Sequence, residues 1–218
     1  MRKVLRRSTF ADRRDAGRVL AGQLASYRGR TDLLVLGLAR GGVPVAWEVA
    51  AYLNASLDTF LVRKLGVPDW TELAMGALAA GGGLVLNRNL MDNLGIGEDQ
   101  LQETIRVETA ELHRRERAYR GDHPPPATEG RTVILVDDGL ATGASMFAAV
   151  RAVRAGAPTA VVVAVPVGSA STCRALRTEA DAVFCCCTPA DFSAVGQVYD
   201  DFRQTDDDEV RRLLATPP

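Results

Sequence analysis

The sequence predicts a doubly wound α/β fold whose five strands form a mainly parallel sheet. Short, continuous apolar runs are typical of strands that are buried on both faces of such a sheet. Helical segments or an insertion separate these runs, as connections between parallel strands require. The 218 residues are 47% apolar and 24% charged, which is the composition of a globular chain long enough to bury one core. We therefore expect a single domain over 1–218.

The first part of the chain predicts a helix followed by a βαβ unit. Helical spacing of apolar residues extends from Phe10 to Tyr27. The run Leu33–Leu38 is a predicted strand, and a helix with proline in its first turn follows from Gly41 to Leu53. A second strand is predicted at Leu57–Val62. The helix between the two strands implies parallel pairing through a right-handed crossover.

An insertion at about 66–127 then interrupts the alternation of strands and helices. Its first part, Gly66–Val85, is rich in Gly, Ala and Pro and contains a predicted hairpin around residues 81–83. A polar amphipathic helix is predicted at about 98–119, and a proline-rich extended linker follows at 123–126.

Regular α/β order resumes after the insertion. Three strands are predicted, at Val133–Val136, Ala160–Val165 and Ala182–Cys186. Three helices are predicted, at Gly143–Ala155, Ser169–Thr178 and Asp206–Leu214. Together with the two earlier strands, these strands make a core of five, and a C-terminal segment follows the last of them.

Charge and cysteine usage argue against several classes of function. The net charge of −1 does not favour non-specific binding to nucleic acid or to membranes. Cys185, Cys186 and Cys187 are consecutive, so on a strand they point to alternating faces and cannot hold one metal ion together. With Cys173 they are interpreted as core thiols. Because no secretory leader and no apolar run of about 18 residues is visible, we expect a cytoplasmic location.

The strand at Val133–Val136 ends in a pattern that indicates a phosphate and sugar site. Asp137 and Asp138 follow the strand, and a loop of small residues leads from them into a helix. In open α/β sheets, ligands bind beyond the carboxyl ends of the strands. The segment Thr142–Ser145 can present N–H groups and hydroxyls to a phosphate, and Gly143 permits close approach. The two carboxylates would accept hydrogen bonds from vicinal hydroxyls, directly or through Mg²⁺.

Other interpretations of the acid pair are less well supported. A Walker B element would require the loop G-x-x-x-x-G-K-[ST], and the chain contains none. A dinucleotide site would require G-x-G-x-x-G, which is also absent from the sequence. The remaining alternative is an ordinary strand-to-helix turn in which Asp and Thr serve as caps.

The segment Val133–Ser145 resembles the phosphoribosyl-pyrophosphate signature of type I phosphoribosyltransferases: four apolar residues, two acids and a loop of the form x-x-x-T-G-x-S/T. The resemblance implies that Asp137 and Asp138 hold the ribose hydroxyls and, through those hydroxyls or water, a Mg²⁺ ion. The implied 5-phosphate site is Ala141, Thr142, Gly143, Ala144 and Ser145. The resemblance also implies 5-phosphoribosyl-1-pyrophosphate and a small acceptor as substrates, and a homodimer.

Two further segments match places at which this family binds pyrophosphate. Ala39, Arg40 and Gly41 follow the first strand, where the family has a loop that often contains a strained or cis peptide bond. Arg63 and Lys64 end the second predicted strand, where the family commonly has basic residues. The resemblance implies that Arg40, Arg63 and Lys64 are catalytic, and that Ala39 and Gly41 bind the substrate. Fixed cations there would stabilise a departing pyrophosphate.

The resemblance also implies two segments that close the site. The family carries a mobile catalytic loop at the position of 66–85, in which Glu72 is a candidate acid. It carries a C-terminal hood for the acceptor, here 188–218. In the hood, Phe192 and Tyr199 could stack on a planar ring, or they could instead attach the segment to the core.

The sequence favours a Mg²⁺-dependent transferase that moves ribose 5-phosphate from phosphoribosyl pyrophosphate to a nitrogenous acceptor such as a nucleobase. Ala141 stands where some purine-salvage members have an aspartate, which argues against hypoxanthine and guanine. The alternative is a protein that senses phosphoribosyl pyrophosphate or a nucleotide without turnover, whose arginine-rich helical stretch from Arg106 to Arg120 would contact a partner. A hydrolase or a phosphorolytic enzyme with the same pocket is a third interpretation.

Overall fold

The fold is that of a computed structural model, which describes residues 10–68, 70–121, 124–216 and 218. The side chain of the candidate acid Glu72 and the first linker residue, His123, lie outside the described residues. The strands are β1 (Leu33–Leu38), β2 (Ser56–Phe60), β3 (Val62–Val67), β4 (Trp70–Ala79), β5 (Leu84–Leu86), β6 (Thr132–Val136), β7 (Ala160–Val167) and β8 (Ala182–Cys187). The α-helices are α1 (Arg13–Gln23), α2 (Gly42–Leu53), α3 (Arg88–Leu94), α4 (Glu98–Arg120), α5 (Ala144–Ala155), α6 (Ala170–Leu176) and α7 (Asp207–Ala215).

Five strands form the predicted parallel sheet, in the order β2-β1-β6-β7-β8. Every residue of β1 and β6 is buried, because these strands lie inside the sheet and helices cover both faces. The chain moves outward from β1 to β2, returns to β6 on the other side of β1, and then continues outward to β8. The strand order therefore reverses between β1 and β6, where ligands are expected beyond the carboxyl ends.

The continuous apolar run of β1 supplies both cores of this sheet. Leu34 and Leu36 pack with Met146 and Val150 of α5 on one face. Val35 packs among residues of α1 and α2 on the other face. Since strand side chains alternate between faces, an unbroken apolar strand is needed to fill both layers. Burial of one such Leu or Val side chain stabilises the fold by about 1.5–3 kcal/mol.

The insertion contains a second, antiparallel sheet with the order β3-β4-β5. The predicted hairpin is confirmed: the N–H of Ala79 donates to the carbonyl of Gly83 at 2.7 Å, and the glycines at 81–82 have positive φ angles. Helix α3 is absent from the sequence-based prediction, although Asn87 caps its start and Gly95 ends it in the left-handed conformation.

The predicted bounds of the second strand are wrong. β2 ends at Phe60 rather than at Val62, because the chain leaves the parallel sheet at Leu61 and enters β3. The apolar run continues across this break, so its periodicity does not mark the change of sheet. Arg63 and Lys64 therefore lie on β3 of the second sheet and not at the end of a parallel strand.

The polar helix predicted in the insertion is confirmed as α4. Leu101 and Leu112 bury its apolar face against the second sheet. Its C-terminal end is fixed by Arg120, whose side chain is 7% exposed and whose Nε donates to the carboxylate of Asp58 at 3.1 Å. The same guanidinium pairs with Glu116 of α4 at 3.2 Å. These contacts join the insertion to the edge strand of the parallel sheet.

The cysteines lie on and beside β8. Cys173 of α6 is buried, whereas Cys185, Cys186 and Cys187 are half-buried, so the predicted core thiols are only partly enclosed. Among the described residues, no group of three or more His, Cys, Asp and Glu side chains is arranged to hold a metal ion. None of the helices in the described ranges is long and apolar enough to cross a membrane.

Candidate functional site

The loop between β6 and α5 is supported by α6. Gly143 has a φ of +78°, and a Cβ at that position would lie 2.5 Å from Cγ2 of Thr172. The hydroxyl of Thr172 donates to the carbonyl of Ala141 at 3.0 Å. Because α5 begins at Ala144, the N–H groups of its first turn have no acceptor within the helix. The loop is thus held in place while its helix start remains available to an anion.

A cavity of about 830 Å³ opens beside this loop. Its lining includes Asp137, the loop at 139–146, Lys64 of β3, Asn87 before α3 and Val195 of the hood. The predicted ribose carboxylate Asp137 and the whole predicted phosphate segment therefore border one space. This space lies at the carboxyl end of the central strand of the sheet, where the reversal of strand order predicts a ligand.

The two carboxylates of the acid pair have different surroundings. Asp137 lines the cavity, and burial together with the negative charge of Asp138 raises the pKa of Asp137 well above its ordinary value. The N–H of Asp138 donates to Oδ1 of Asp137 at 2.8 Å. Burial also raises the pKa of the Asp138 carboxyl, and the nearby guanidinium of Arg13 opposes that rise. Asp137 is therefore the carboxylate that a hydroxyl or a cation in the cavity would stabilise most.

The carboxylate of Asp138 is held by Arg13 at the start of α1. Nε of Arg13 donates to Oδ2 of Asp138 at 2.8 Å, and the two side chains are 12% and 15% exposed. Nη1 of Arg13 donates to the carbonyl of Arg203 at 2.6 Å, and its guanidinium lies 3.9 Å from the ring centroid of Phe202. The hydroxyl of Tyr199 donates to the carbonyl of Asp138 at 2.6 Å. The hood thus contributes directly to the acid pair.

These contacts decide between the two interpretations of the hood aromatics. Tyr199 is 6% exposed, its ring stacks on Phe202 with centroids 4.9 Å apart, and it lies 5.6 Å from the ring of Phe10. Phe192 packs, partly buried, in the same cluster. The structure therefore supports attachment to the core and leaves Tyr199 no open face for a ligand ring.

The loop after β1 approaches the acid pair closely through two glycines. A Cβ on Gly41 would overlap Oδ2 of Asp138. A Cβ on Gly42 would lie 2.6 Å from the carbonyl oxygen of Val136 and 2.9 Å from Cα of Asp137. Gly42 therefore requires glycine for lack of space, whereas a side chain at Gly41 would displace the carboxylate of Asp138.

Of the three predicted catalytic cations, Lys64 is the one that lines the cavity. Nε of Arg63 donates instead to the carboxylate of Glu108 on α4 at 2.6 Å. Arg40, which follows a cis peptide bond, lies 3.6 Å from the carboxylate of Asp207 on α7. Both arginines are engaged by carboxylates of the protein, so an anionic ligand would have to compete for them.

A second cavity, of about 900 Å³, lies between β3 and α4. Its lining includes Ala39 from the loop after β1, Arg63, and the half-exposed Val107 of α4. Lys64 and Ser145 line both cavities. The predicted phosphate loop and the predicted pyrophosphate loop therefore border adjoining spaces that meet at Lys64.

An open parallel sheet, with an acid pair after its central strand and a loop of small residues that leads into a helix, is typical of the type I phosphoribosyltransferase class. The chain belongs to the phosphoribosyl transferase domain family, whose model matches residues 11–203. Relatives from two strains of Mycobacterium tuberculosis, named provisionally as phosphoribosyl transferases, are 48% identical over 206 residues. The match covers 94% of this chain and 46% of each relative, so the chain spans about half the length of the curated relatives it matches.

Solved structures share the fold. The crystal structure of the TT1426 protein from Thermus thermophilus is 44% identical in sequence, with a TM-score of 0.78 over 94% of this chain and 97% of that chain. The AQ2163 protein of Aquifex aeolicus, 10% identical, superposes with a TM-score of 0.51 over 80% of this chain and 73% of that chain. The predicted fold class, α/β with a mainly parallel five-stranded sheet, is confirmed.

Proposed function

We propose that the chain transfers ribose 5-phosphate from 5-phosphoribosyl-1-pyrophosphate to a nitrogenous acceptor and releases pyrophosphate. The observation that carries this proposal is that Asp137 and the loop at 141–145 line one cavity. N–H donors at a helix start recognise a phosphate, and carboxylate oxygens recognise vicinal hydroxyls. Membership of the phosphoribosyl transferase domain family supports the same substrate.

The 5-phosphate binds in the loop that leads into α5. The first-turn N–H groups, the positive end of the helix dipole and the hydroxyls of Thr142 and Ser145 all favour a dianion there. The hydrogen bond from Thr172 to Ala141 stabilises the conformation of the loop in the absence of a ligand. Because the 5-phosphate is remote from C1 of ribose, its binding energy can hold the reacting carbon in position.

Asp137 accepts hydrogen bonds from the ribose hydroxyls within the same cavity. In the reaction, the bond between C1 and the pyrophosphate oxygen breaks, and its electron pair leaves on pyrophosphate. The acceptor nitrogen supplies the electron pair of the new bond to C1 and then releases its proton to water. A fixed carboxylate near the ribose favours the positive charge that develops at C1.

Lys64 is the cation best placed for the departing pyrophosphate, because it lines both cavities. Arg40 and Arg63 join it when pyrophosphate displaces Asp207 and Glu108 from their ion pairs. Pyrophosphate carries more charge than either carboxylate, so this exchange of partners is electrostatically favourable. Ala39 and Gly41 contribute the backbone of the loop beside it.

Mg²⁺ fits this site as an ion that arrives with the substrate. It prefers oxygen ligands, keeps several waters and is commonly bound by one or two carboxylates together with phosphates. Asp137 offers such oxygens, and among the described residues no larger ligand cluster surrounds it. Asp137 and Asp138 would hold the ion through ribose hydroxyls or water. When bound, Mg²⁺ neutralises charge that develops on pyrophosphate.

Two measurements test this proposal. Calorimetric titration with phosphoribosyl pyrophosphate and Mg²⁺ measures binding, and pyrophosphate release across a panel of nucleobases and amines, with a water-only arm, measures transfer. The double variant Asp137→Asn, Asp138→Asn should lose at least about 30-fold in affinity, because hydrogen bonds to charged groups contribute about 1.5–3 kcal/mol each. Asp92→Asn, a change at an exposed acid of α3, is the control. Undiminished affinity of the double variant would contradict the proposal.

The second candidate function is a sensor that binds phosphoribosyl pyrophosphate or a nucleotide without turnover. The ion pairs of Arg40 and Arg63 favour it, because they occupy two of the three cations that catalysis would use. Tight binding without pyrophosphate release for any acceptor supports the sensor. Release that is equal in the water-only arm and in every acceptor arm identifies a hydrolase.

A further inference from the structure

We propose that Ser169 and Thr172, at the start of α6, direct the N–H of Thr142 toward the 5-phosphate. They are positioning residues, because they act on the ligand only through the carbonyl of Ala141. The inference rests on the proposed function, in which the loop at 141–145 binds the phosphate. It adds α6, which lies outside that loop, to the groups that determine phosphate affinity.

The two hydroxyls form a directed chain of hydrogen bonds that ends on the phosphate loop. The hydroxyl of Thr172 donates to the carbonyl of Ala141 at 3.0 Å, since a carbonyl oxygen can only accept. Because this uses the single hydroxyl proton of Thr172, the hydroxyl of Ser169 is the donor in its 2.7 Å contact with Oγ1 of Thr172. Ser171, whose Oγ lies 3.1 Å from Oγ of Ser169, is then the donor in that contact. The protons of the chain are therefore fixed, and each bond polarises the next toward Ala141.

The start of this chain is itself bonded to the loop through the backbone. The N–H of Leu140 donates to the carbonyl of Val167 at 2.8 Å, and the N–H of Ser169 donates to the carbonyl of Leu140 at 3.2 Å. Oγ of Ser169 also caps α6 by accepting from the N–H of Thr172 at 3.1 Å. The side chains that reach Ala141 thus begin at a segment whose distance from the loop is set.

The orientation of one peptide group connects α6 to the ligand. The peptide between Ala141 and Thr142 is trans, so its C=O and its N–H point in opposite directions. The C=O points at Thr172, while the cavity of about 830 Å³ is lined by Ala141 and Thr142 and by none of the described residues of α6. The N–H of Thr142 is therefore directed away from α6 and toward the cavity. If this peptide turned over, a carbonyl oxygen would replace an N–H donor beside the phosphate and would repel it.

Thr172→Val tests this role, because valine keeps the methyl group that packs on Gly143 and removes only the hydroxyl. Affinity of the intact chain for ribose 5-phosphate, measured by calorimetry, should fall about threefold to tenfold, which is the range that one neutral hydrogen bond supports. Thr172→Ser keeps the hydroxyl and should recover most of the affinity. Ser169→Ala should weaken binding less than Thr172→Val and should add no further loss in the Thr172→Val background.

Thr178→Val is the matched control, because it removes a hydrogen bond of the same kind just beyond the other end of α6. The hydroxyl of Thr178 donates to the carbonyl of Ala175 at 2.8 Å. Its loss should leave affinity for ribose 5-phosphate unchanged, although thermal unfolding should show a similar loss of stability for both Thr→Val variants. The comparison separates an effect on the phosphate loop from a general loosening of α6.

The amide proton of Thr142 gives a signal that a merely structural role would not move. Saturating the unaltered protein with ribose 5-phosphate should shift this proton resonance downfield, because its N–H gains a charge-assisted hydrogen bond. At saturation the shift should be smaller in Thr172→Val and should be restored in Thr172→Ser.

Three results would overturn the inference. They are undiminished affinity of Thr172→Val, an equal loss from Thr178→Val, and a Thr142 amide resonance that does not move when the unaltered protein is saturated. The last result does not depend on the folding of any variant. If the unaltered protein binds neither ribose 5-phosphate nor phosphoribosyl pyrophosphate, the proposed function itself fails. If it binds and one of the three results is found, only the role of Ser169 and Thr172 fails.

Discussion

Replacing Gly42 by alanine tests how closely α2 must approach the acid pair. The new Cβ would lie 2.6 Å from the carbonyl oxygen of Val136 and 2.9 Å from Cα of Asp137. Both are backbone atoms, so no side chain can rotate away, and either the start of α2 or the end of β6 must move. Gly22 of α1 is a matched control, because a Cβ there would meet nothing within 4 Å.

The expected change in the free energy of unfolding of Gly42→Ala is the difference between two effects. Overpacking costs about 1–3 kcal/mol, and alanine in place of glycine in a helix stabilises by at most about 1 kcal/mol. With the full gain subtracted, Gly42→Ala should lower the free energy of unfolding by up to about 2 kcal/mol, while Gly22→Ala should leave it unchanged or raise it. For a chain of this length, each kcal/mol corresponds to about 2–4 °C in Tm.

Urea unfolding and thermal unfolding of both variants measure these differences, and titration with phosphoribosyl pyrophosphate measures the effect on the site. Gly42→Ala should also weaken binding, because the displaced backbone includes that of Asp137. A Gly42→Ala variant that is as stable as the Gly22→Ala variant and binds with unchanged affinity would refute the reasoning.

Three further predictions concern charge and hydrogen bonding. In metal-free buffer, Asp137→Asn should stabilise the fold at neutral pH, because burial raises the pKa of Asp137 and its ionised form therefore costs folding free energy. This gain in the free energy of unfolding should vanish near pH 3, where the carboxyl is protonated in the folded and the unfolded state, and should grow as the pH rises toward the raised pKa. Urea unfolding that shows the same gain at pH 3 and at neutral pH would contradict this prediction. Arg120→Met should cost about 2–4 kcal/mol in urea unfolding, since it leaves a partly buried carboxylate unpaired. Arg106→Met, at a side chain that is 71% exposed, should change the free energy of unfolding far less, and equal losses would be inconsistent with the difference in burial. Tyr199→Phe keeps the stacking but removes the hydrogen bond to the Asp138 carbonyl, so thermal unfolding should show a loss of about 1 kcal/mol, and no change in Tm would count against that bond.

Local pattern was sufficient to predict most of the parallel sheet. The bounds of β1 match the predicted strand, and β6 begins one residue earlier than predicted. Both lie between covered faces, so burial makes them continuously apolar and easy to delimit. At Phe60–Val62 the apolar run does not mark the end of β2, because apolar residues continue while the chain passes from one sheet to the other. Where a strand enters a new sheet depends on tertiary packing, which short-range periodicity does not contain.

The candidate site was likewise predicted in part from the sequence. The acid pair and the loop at 141–145 are contiguous in sequence, and a strand-to-helix connection places them together. Arg13 is absent from the sequence-based prediction because 125 residues separate it from Asp138, and a run of arginines is typical of a solvated helix face. The ion pair of Arg63 with Glu108 could not be predicted from the sequence either, since it depends on how α4 packs on β3.

The contact of Arg13 with Asp138 has a consequence for the order in which this protein is made. It joins residues 125 positions apart, and its support from Arg203 spans 190 positions. Contacts that close such long loops form late, because the entropy of closure precedes any gain. A nascent chain that has been synthesised only through α5 carries Arg13 and the acid pair but lacks Tyr199, Phe202 and Arg203, which contact them. The surroundings of the acid pair are therefore completed only when the hood has been synthesised and has folded.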